Sequence, residues 1–204
     1  MRLRSDLRRR SSTLLARSLP VALLWLLTAG VPRPLSAQSQ ALVLSVYGGR
    51  YSPLVNLTDA GDDLTAAFAF GGGLAFQLSQ NAALRVSVTR HRARYRGDAV
   101  VVADSSVSRY TYGLDLQLGW PGTSVLVPYV YLGAGAVTTD FDDPAYVSAT
   151  GLAGRFGVGL NRVGGLGAWF VEVGTVLYGF DGLGLKRTQF DLEARLGFAL
   201  AIGL

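Results

Sequence analysis

Hydrophobic residues recur at every second position through most of the chain beyond residue 40. The C-terminal segment shows this pattern without interruption. Apolar side chains occupy alternate positions from Phe190 to Leu204, and polar or very small side chains occupy the positions between them, from Gln189 to Gly203. Successive side chains of a β-strand point to opposite faces, so a period of two predicts a strand with one apolar and one polar face.

Seven further segments show the same alternation, which predicts eight strands in all. Two of the seven are weaker, Ala41 to Gly49 and Val125 to Thr139. The five clearer segments lie within 67–78, 84–89, 110–120, 152–161 and 169–177.

Short and long connections alternate between the predicted strands. Three are short and rich in turn-forming residues: Gln80-Asn81, Pro121-Gly122-Thr123 and Val163-Gly164-Gly165. The other four are longer and polar, at 51–63, 97–104, 140–149 and 179–187. Such alternation is typical of barrels with short periplasmic turns and longer extracellular loops. We therefore expect an all-β fold: an eight-stranded antiparallel up-and-down transmembrane β-barrel.

Charged residues stand in the middle of the polar faces, opposite continuous apolar columns. In a membrane the apolar columns can face lipid without a second sheet packed on them. We therefore expect these columns on the outer surface of the barrel and the charges inside the lumen. Unpaired buried charge is costly, so these residues are expected to pair and plug a narrow lumen. A water-filled pore is the alternative to the plug, and a soluble lipocalin-like barrel would reverse the two faces. The predicted lumen charge network comprises Arg85, Asp115, Arg155, Glu172, Asp191, Glu193 and Arg195.

The first 37 residues have the features of a secretory signal peptide. An arginine-rich start precedes an apolar run from Leu19 to Ala29, which is shorter than the roughly 20 residues that a spanning helix needs. Cleavage is expected after Ala37, with Ser39 as the alternative, which leaves residues 38–204 as the barrel.

Composition excludes several classes of protein. The chain has no cysteine, which excludes disulfides, thiolate metal sites and cysteine enzymes. Its net charge of +5 comes from 19 basic and 14 acidic residues. Subtracting the seven basic residues and the one acidic residue of the leader leaves 12 and 13, so no nucleic-acid partner is expected.

Two segments resemble the outer-membrane β-barrel domain family of the OmpA, OmpX and OmpW type. Pro128 to Ala136, with the sequence PYVYLGAGA, is similar to the pattern P-Y-x-x-x-G-x-G in a central strand of such barrels, and the C-terminal strand ends at Leu204. The resemblance extends from Ala41 to Leu204. It implies the outer membrane of a Gram-negative-type bacterium, contact with its lipid, and insertion by the barrel-assembly machinery through the C-terminal strand. Family members commonly end in an aromatic residue, and here Leu204 replaces it.

The apolar face of the third predicted strand changes abruptly from aliphatic residues to arginines. About eight residues separate Ala82 from Arg90, or roughly 20 Å along the membrane normal, which is close to the apolar thickness of an outer membrane. Guanidinium groups bind phosphate bidentately, so we hypothesise a contact site for lipopolysaccharide phosphates. A solvated hairpin above the membrane, or a bulge that breaks the parity, is the alternative. After Leu84, Val86 and Val88, the same parity continues with Arg90, Arg92, Arg94 and Arg96.

Candidate catalytic residues are few. His91 is the only histidine, and Ala93 stands where outer-membrane lipid A deacylases have serine two residues from their histidine. No spacing requires His91, Asp104 and Ser105 to meet as they would in a lipid A palmitoyl transferase. Clustered loop aspartates lack an EF-hand spacing, so no metal or cofactor is expected. We expect a non-enzymatic barrel with a structural or surface-interaction role, and the alternative is a small pore or lateral-diffusion transporter of small solutes.

Overall fold

The computed structural model describes residues 41–56, 63–96, 106–120, 126–142, 148–164, 167–182 and 185–203. The predicted signal peptide and both candidate cleavage sites lie outside the described residues. In the described ranges, no helix is long and apolar enough to cross a membrane.

Eight long strands form a closed antiparallel barrel, and a two-residue strand is added at one end. The long strands follow one another around the barrel in chain order, and pairing between the first and last of them closes it. This topology confirms the predicted eight-stranded up-and-down barrel. The strands are β1 Ala41–Pro53, β2 Asp63–Leu64, β3 Ala67–Ser79, β4 Ala82–Arg96, β5 Ser106–Gly119, β6 Leu126–Phe141, β7 Ala149–Gly164, β8 Gly167–Gly182 and β9 Leu185–Gly203.

The apolar columns face outward and the charged side chains face the lumen, as the sequence predicts. Outward-facing Trp169 and Val158 are 58% and 57% exposed, whereas Asp115 and Glu172 are 0% and 1% exposed. Exposed apolar side chains occur on all eight long strands. A continuous apolar band of this kind is stable in lipid and not in water.

Near one end of the barrel the outward face becomes charged and the inward face becomes apolar. On β4 the outward positions change from Val88 to Arg90, while the inward positions change from Thr89 to Ala93 and Tyr95. We call this the extracellular end, because longer connections of outer-membrane barrels lie outside the cell. The strands therefore project beyond the apolar band with an apolar interior, the apolar cap. It comprises Tyr51, Leu64, Ala67, Ala69, Ala93, Tyr95, Val107, Val137, Phe141, Ala153, Val176, Tyr178 and Phe180.

The connection between β8 and β9 is much shorter than expected. The prediction of a long polar loop over 179–187 is wrong, because the ladder continues from Gly179↔Thr188 to Gly182↔Leu185. The inward-facing Phe180 is 3% exposed and packs in the apolar cap, which holds both strands together beyond the membrane. The strands also lengthen into the expected turn at 163–165, since Val163 and Gly164 belong to β7.

Candidate functional site

The centre of the lumen is occupied by a belt of paired charges. Arg85 on β4 reaches Asp115 on the adjacent strand β5, with 3.1 Å between Nη2 and Oδ2, and it also contacts Glu172 on β8. Arg155 on β7 donates to the same Asp115 oxygen at 3.1 Å and to the Ser87 hydroxyl at 2.9 Å. One carboxylate therefore binds two arginines, and Arg85 joins opposite sides of the barrel.

A second carboxylate, that of Glu172, also lies between two arginines, and its contact with the second is longer. Glu172 accepts a hydrogen bond from the Tyr129 hydroxyl at 2.8 Å, and its other oxygen lies 3.6 Å from Arg195 Nη1. Arg195 also pairs with Glu193 on its own strand. The six charged residues of this central belt are at most 4% exposed.

The close fit of Arg155 depends on a glycine. A Cβ atom built at Gly113 would lie 1.3 Å from Arg155 Nη1. Any side chain at this inward position would therefore displace the guanidinium from the carboxylate of Asp115. The glycines of the polar faces provide the space in which long lumen side chains cross a narrow barrel.

A further buried pair lies between the central belt and the apolar cap. Arg109 Nη2 is 3.0 Å from Asp191 Oδ2, and its guanidinium also donates to the Tyr51 hydroxyl and lies 4.6 Å from the centre of the Tyr178 ring. The sequence prediction included Asp191 and missed Arg109. The signal was present, because Arg109 continues the parity of the inward-facing Thr111.

Arg109 changes the charge balance of the lumen. The seven predicted residues have three positive and four negative charges, and all seven face inward with at most 4% exposure. Adding Arg109 makes four of each sign among the buried charged residues of the described lumen. These eight buried charges are therefore neutral as a set, which matches the pairing seen between them.

His91 is buried inside the barrel. It is 1% exposed and stacks on the Tyr51 ring, with 3.9 Å between ring centres and 17° between planes. Ala93 also faces inward, and Asp104 and Ser105 lie outside the described residues. The histidine is thus separated from the lipid-facing surface by the wall of the barrel.

The predicted arginine face lies on the outer surface of β4. Pairing with β5 is continuous from Ala82↔Leu118 to Arg94↔Ser106, so the parity is not broken by a bulge. Three of the predicted residues, Arg90, Arg92 and Arg94, are exposed. Arg96 ends β4, where its backbone pairs with that of Asp63. We keep the term arginine face for Arg90, Arg92, Arg94 and Arg96.

The members of the arginine face have different neighbours. The Arg90 guanidinium lies 5.6 Å from the centre of the Tyr110 ring on β5. Arg92 reaches across β5 to Asp142 at 2.5 Å and to the Ser106 hydroxyl at 2.8 Å. Hydrogen bonds from Ser106 and Arg92 hold the pKa of the exposed Asp142 carboxyl below its ordinary value. Arg92 is therefore partly neutralised, whereas Arg90 combines an exposed charge with an aromatic ring.

Metal ligands are not grouped in the described part of the chain. No set of three or more histidine, aspartate or glutamate side chains is placed there to hold a metal ion. The loop aspartates form two clusters in the sequence: Asp59, Asp62 and Asp63, and then Asp140, Asp142 and Asp143. Of these, Asp59, Asp62 and Asp143 lie outside the described residues.

Comparison with known proteins shows a likeness of fold. No family model and no curated protein matches the sequence. Among solved structures, Neisserial surface protein A has a TM-score of 0.56 and 14% identity, over 81% of this chain and 99% of that one. OprG from Pseudomonas aeruginosa has a TM-score of 0.55 and 13% identity, over 82% and 98%. The outer membrane protein AlkL, solved in lipid bilayers, has a TM-score of 0.56 and 19% identity, over 85% and 95%. The chain therefore has the fold of small outer-membrane β-barrels.

Proposed function

We propose that this outer-membrane-type barrel has a closed lumen and acts at its extracellular rim, where the arginine face contacts lipid phosphate. The observation that supports a closed lumen best is the central belt. Asp115 and Glu172 each bind two arginines, and their contacts join β4, β5, β7, β8 and β9. Long paired side chains fill the narrow interior of an eight-stranded barrel.

The apolar cap supports the same conclusion. It closes the extracellular end with side chains such as Phe141 and Phe180, which are 8% and 3% exposed. An ion crossing the barrel would have to pass both this apolar layer and the belt, whose charges are paired with one another. A structural or surface-interaction role is therefore favoured over a small pore or a lateral-diffusion transporter.

The position of the arginine face supports contact with lipid phosphate. Arg90 follows Val88, the last outward apolar residue of β4, and lies between the aromatic residues Phe70 on β3 and Tyr110 on β5. An arginine beside an aromatic ring at that height is suited to a phosphate group at the membrane surface, because guanidinium binds phosphate through two hydrogen bonds. The phosphates of lipopolysaccharide are the expected partners in an outer leaflet.

Two further proposals concern partners and chemistry. Strand β9 presents an outward apolar face from Phe190 to Ile202, which supports recognition by the barrel-assembly machinery. The burial of His91 against Tyr51 supports a non-enzymatic role, since a lipid substrate outside the barrel does not reach it.

Single-channel recording tests the closed lumen. The chain from residue 38 to 204 is refolded, its folding is checked by heat-modifiable migration on a gel, and it is inserted into planar bilayers beside an open porin as positive control. We expect folded protein without discrete conductance. Stable discrete conductance would contradict the closed lumen and favour the small-pore alternative.

Retention of lipid A tests the arginine face. All four arginines are changed to glutamine, and the lipid A phosphate bound per barrel is measured after detergent exchange. Arg162→Gln is the matched control, because Arg162 is also exposed but lies at the periplasmic end of β7. We expect the fourfold variant to lose most of the bound lipid A and the control to keep it. Equal retention in both proteins would refute the proposed contact.

A further inference from the structure

The periplasmic end of the lumen contains a cavity, unlike the filled centre. Its volume is about 490 Å³, within the range of small-molecule pockets, and every one of the eight long strands contributes to its lining. The cavity lies between the central belt and the strand ends joined by short turns. We call it the vestibule.

Small side chains create this space. Five alanines line the vestibule, whereas arginine and tyrosine fill the central belt above it. The inner limit is formed by Arg85, Tyr129 and Phe170, which are 4–5% exposed. Arg85 and Tyr129 both donate hydrogen bonds to Glu172 in the central belt. A solute that enters from the periplasmic end therefore meets a blind end.

Two aromatic rings are recessed into the wall of the vestibule. Tyr129 lies over Gly159, the residue opposite it on β7, where a built Cβ atom would be 2.2 Å from the ring. Phe170 lies over Gly197 on β9 in the same way, at 2.3 Å. Because these two positions are glycines, the rings pack against the strands and leave the lumen beside them open. The blind end thus has an aromatic surface without being filled.

The polar groups of the vestibule are mainly neutral. Gln77, Gln117 and Asn161 contribute side-chain amides near the strand ends, and the Gln77 amide nitrogen already donates to the Ser79 carbonyl at 2.6 Å. Among the described residues that line the vestibule, Arg85 is the one with a charge, and both Asp115 and Glu172 pair with it. An entering ion would lose hydration without gaining an unpaired opposite charge, which is unfavourable.

From this arrangement we infer that the vestibule binds a small uncharged amphiphile from the periplasmic side. Its apolar end packs against the alanines and the rings of Tyr129 and Phe170. Its polar end exchanges hydrogen bonds with Gln117 and Asn161, whose amides both donate and accept. An aliphatic amide has both features. This inference depends on the shape of the lumen and is independent of the arginine face.

Hexanamide is a suitable probe, measured by NMR on the refolded barrel in lipid nanodiscs. We expect saturable shifts of the side-chain amide signals of Gln117 and Asn161. Hexanoate and hexylammonium have the same chain with a charge, and we expect each to bind at least about tenfold more weakly. Binding of either ion as tight as that of hexanamide would overturn the inference.

Two variants in which alanine is changed to phenylalanine distinguish binding in the vestibule from partition into lipid. Ala199→Phe places a ring inside the vestibule, and Ala134→Phe adds the same ring on the exposed outer face of β6. Hexanamide shifts should disappear in the first variant and remain in the second. Shifts that are linear in concentration, or equal in both variants, would mean partition into lipid and would refute a binding site.

A second variant keeps the test decisive if Ala199→Phe does not fold. Asn161→Leu retains the approximate size of the side chain and removes its hydrogen-bonding groups. We expect hexanamide to bind this variant at least about fivefold more weakly, observed at Gln117. Unchanged affinity would overturn the assignment of the polar end.

Discussion

Loss of the Asp115 charge should destabilise the barrel strongly. Asp115 accepts hydrogen bonds from Arg85 at 3.1 Å and from Arg155 at 3.1 Å, and it is 0% exposed. Asp115→Asn keeps the size of the side chain but removes one negative charge from the lumen, so that the buried charges are no longer balanced. Arg155 then retains the neutral Ser87 as its hydrogen-bond partner. Removing one partner of a buried ion pair costs about 3–5 kcal/mol, or roughly a hundred- to several-thousand-fold in the unfolding equilibrium.

Urea unfolding of the refolded barrel in lipid vesicles measures this cost, with heat-modifiable migration to count folded molecules. Asp140→Asn is the matched control: Asp140 is exposed on the outer face of β6, where Ser148 donates to it at 2.7 Å, and its loss should cost less than about 0.5 kcal/mol. Adding Arg155→Met to Asp115→Asn should restore part of the stability, because both charges are then removed. A cost for Asp115→Asn no larger than that of the control would refute the paired belt.

Other changes test other parts of the molecule. Gly113→Val should lower the free energy of unfolding by about 1–3 kcal/mol in the same urea assay, since its side chain would displace the Arg155 guanidinium; an unchanged midpoint would contradict this packing. Arg109→Met leaves the Asp191 carboxylate without its arginine and should cost about 3–5 kcal/mol in urea, whereas a cost near zero would mean that the pair is not formed. Arg92→Gln should raise the Asp142 pKa toward its ordinary value, measured by NMR titration, because it removes one of the hydrogen bonds that favour the charged form. The lowered pKa of Asp142 makes a small contribution to stability, which is present above the pKa of the unfolded state and lost as pH falls. An Asp142 titration that is unchanged in Arg92→Gln would refute the contact.

The strands and the orientation of their faces were accessible to sequence analysis for a physical reason. A barrel wall separates lipid outside from a polar lumen inside. Nearly every residue between Ala82 and Thr89 is therefore apolar if it faces outward and polar or small if it faces inward. This relation fails beyond the membrane. There Phe180 faces an apolar interior while its neighbours are glycine and aspartate, and the segment resembles a loop although it is a strand.

The candidate sites were predictable only in part. Inward-facing charges can be predicted from the alternation of residues along a strand. Arg109 is missed because the predicted strand begins at Tyr110, whereas β5 begins at Ser106. The partners of each charge were not predictable, since the pairing of Arg85 with Glu172 depends on distances across the lumen between strands far apart in the chain. The vestibule was not predicted either. Its volume depends on where the Tyr129 and Phe170 rings rest, which the alternation of residue types does not specify.

The pairing of the buried lumen charges has a consequence for the order of assembly. Arg85 and Glu172 are separated by 87 positions in the chain, and Arg109 and Asp191 by 82. Neither pair forms until β8 and β9 meet the strands from the first half of the barrel. A partly built sheet in the membrane would therefore expose unmatched charges, and its energy would fall sharply on closure. We therefore expect insertion and closure to be coupled, so that half-inserted forms do not accumulate.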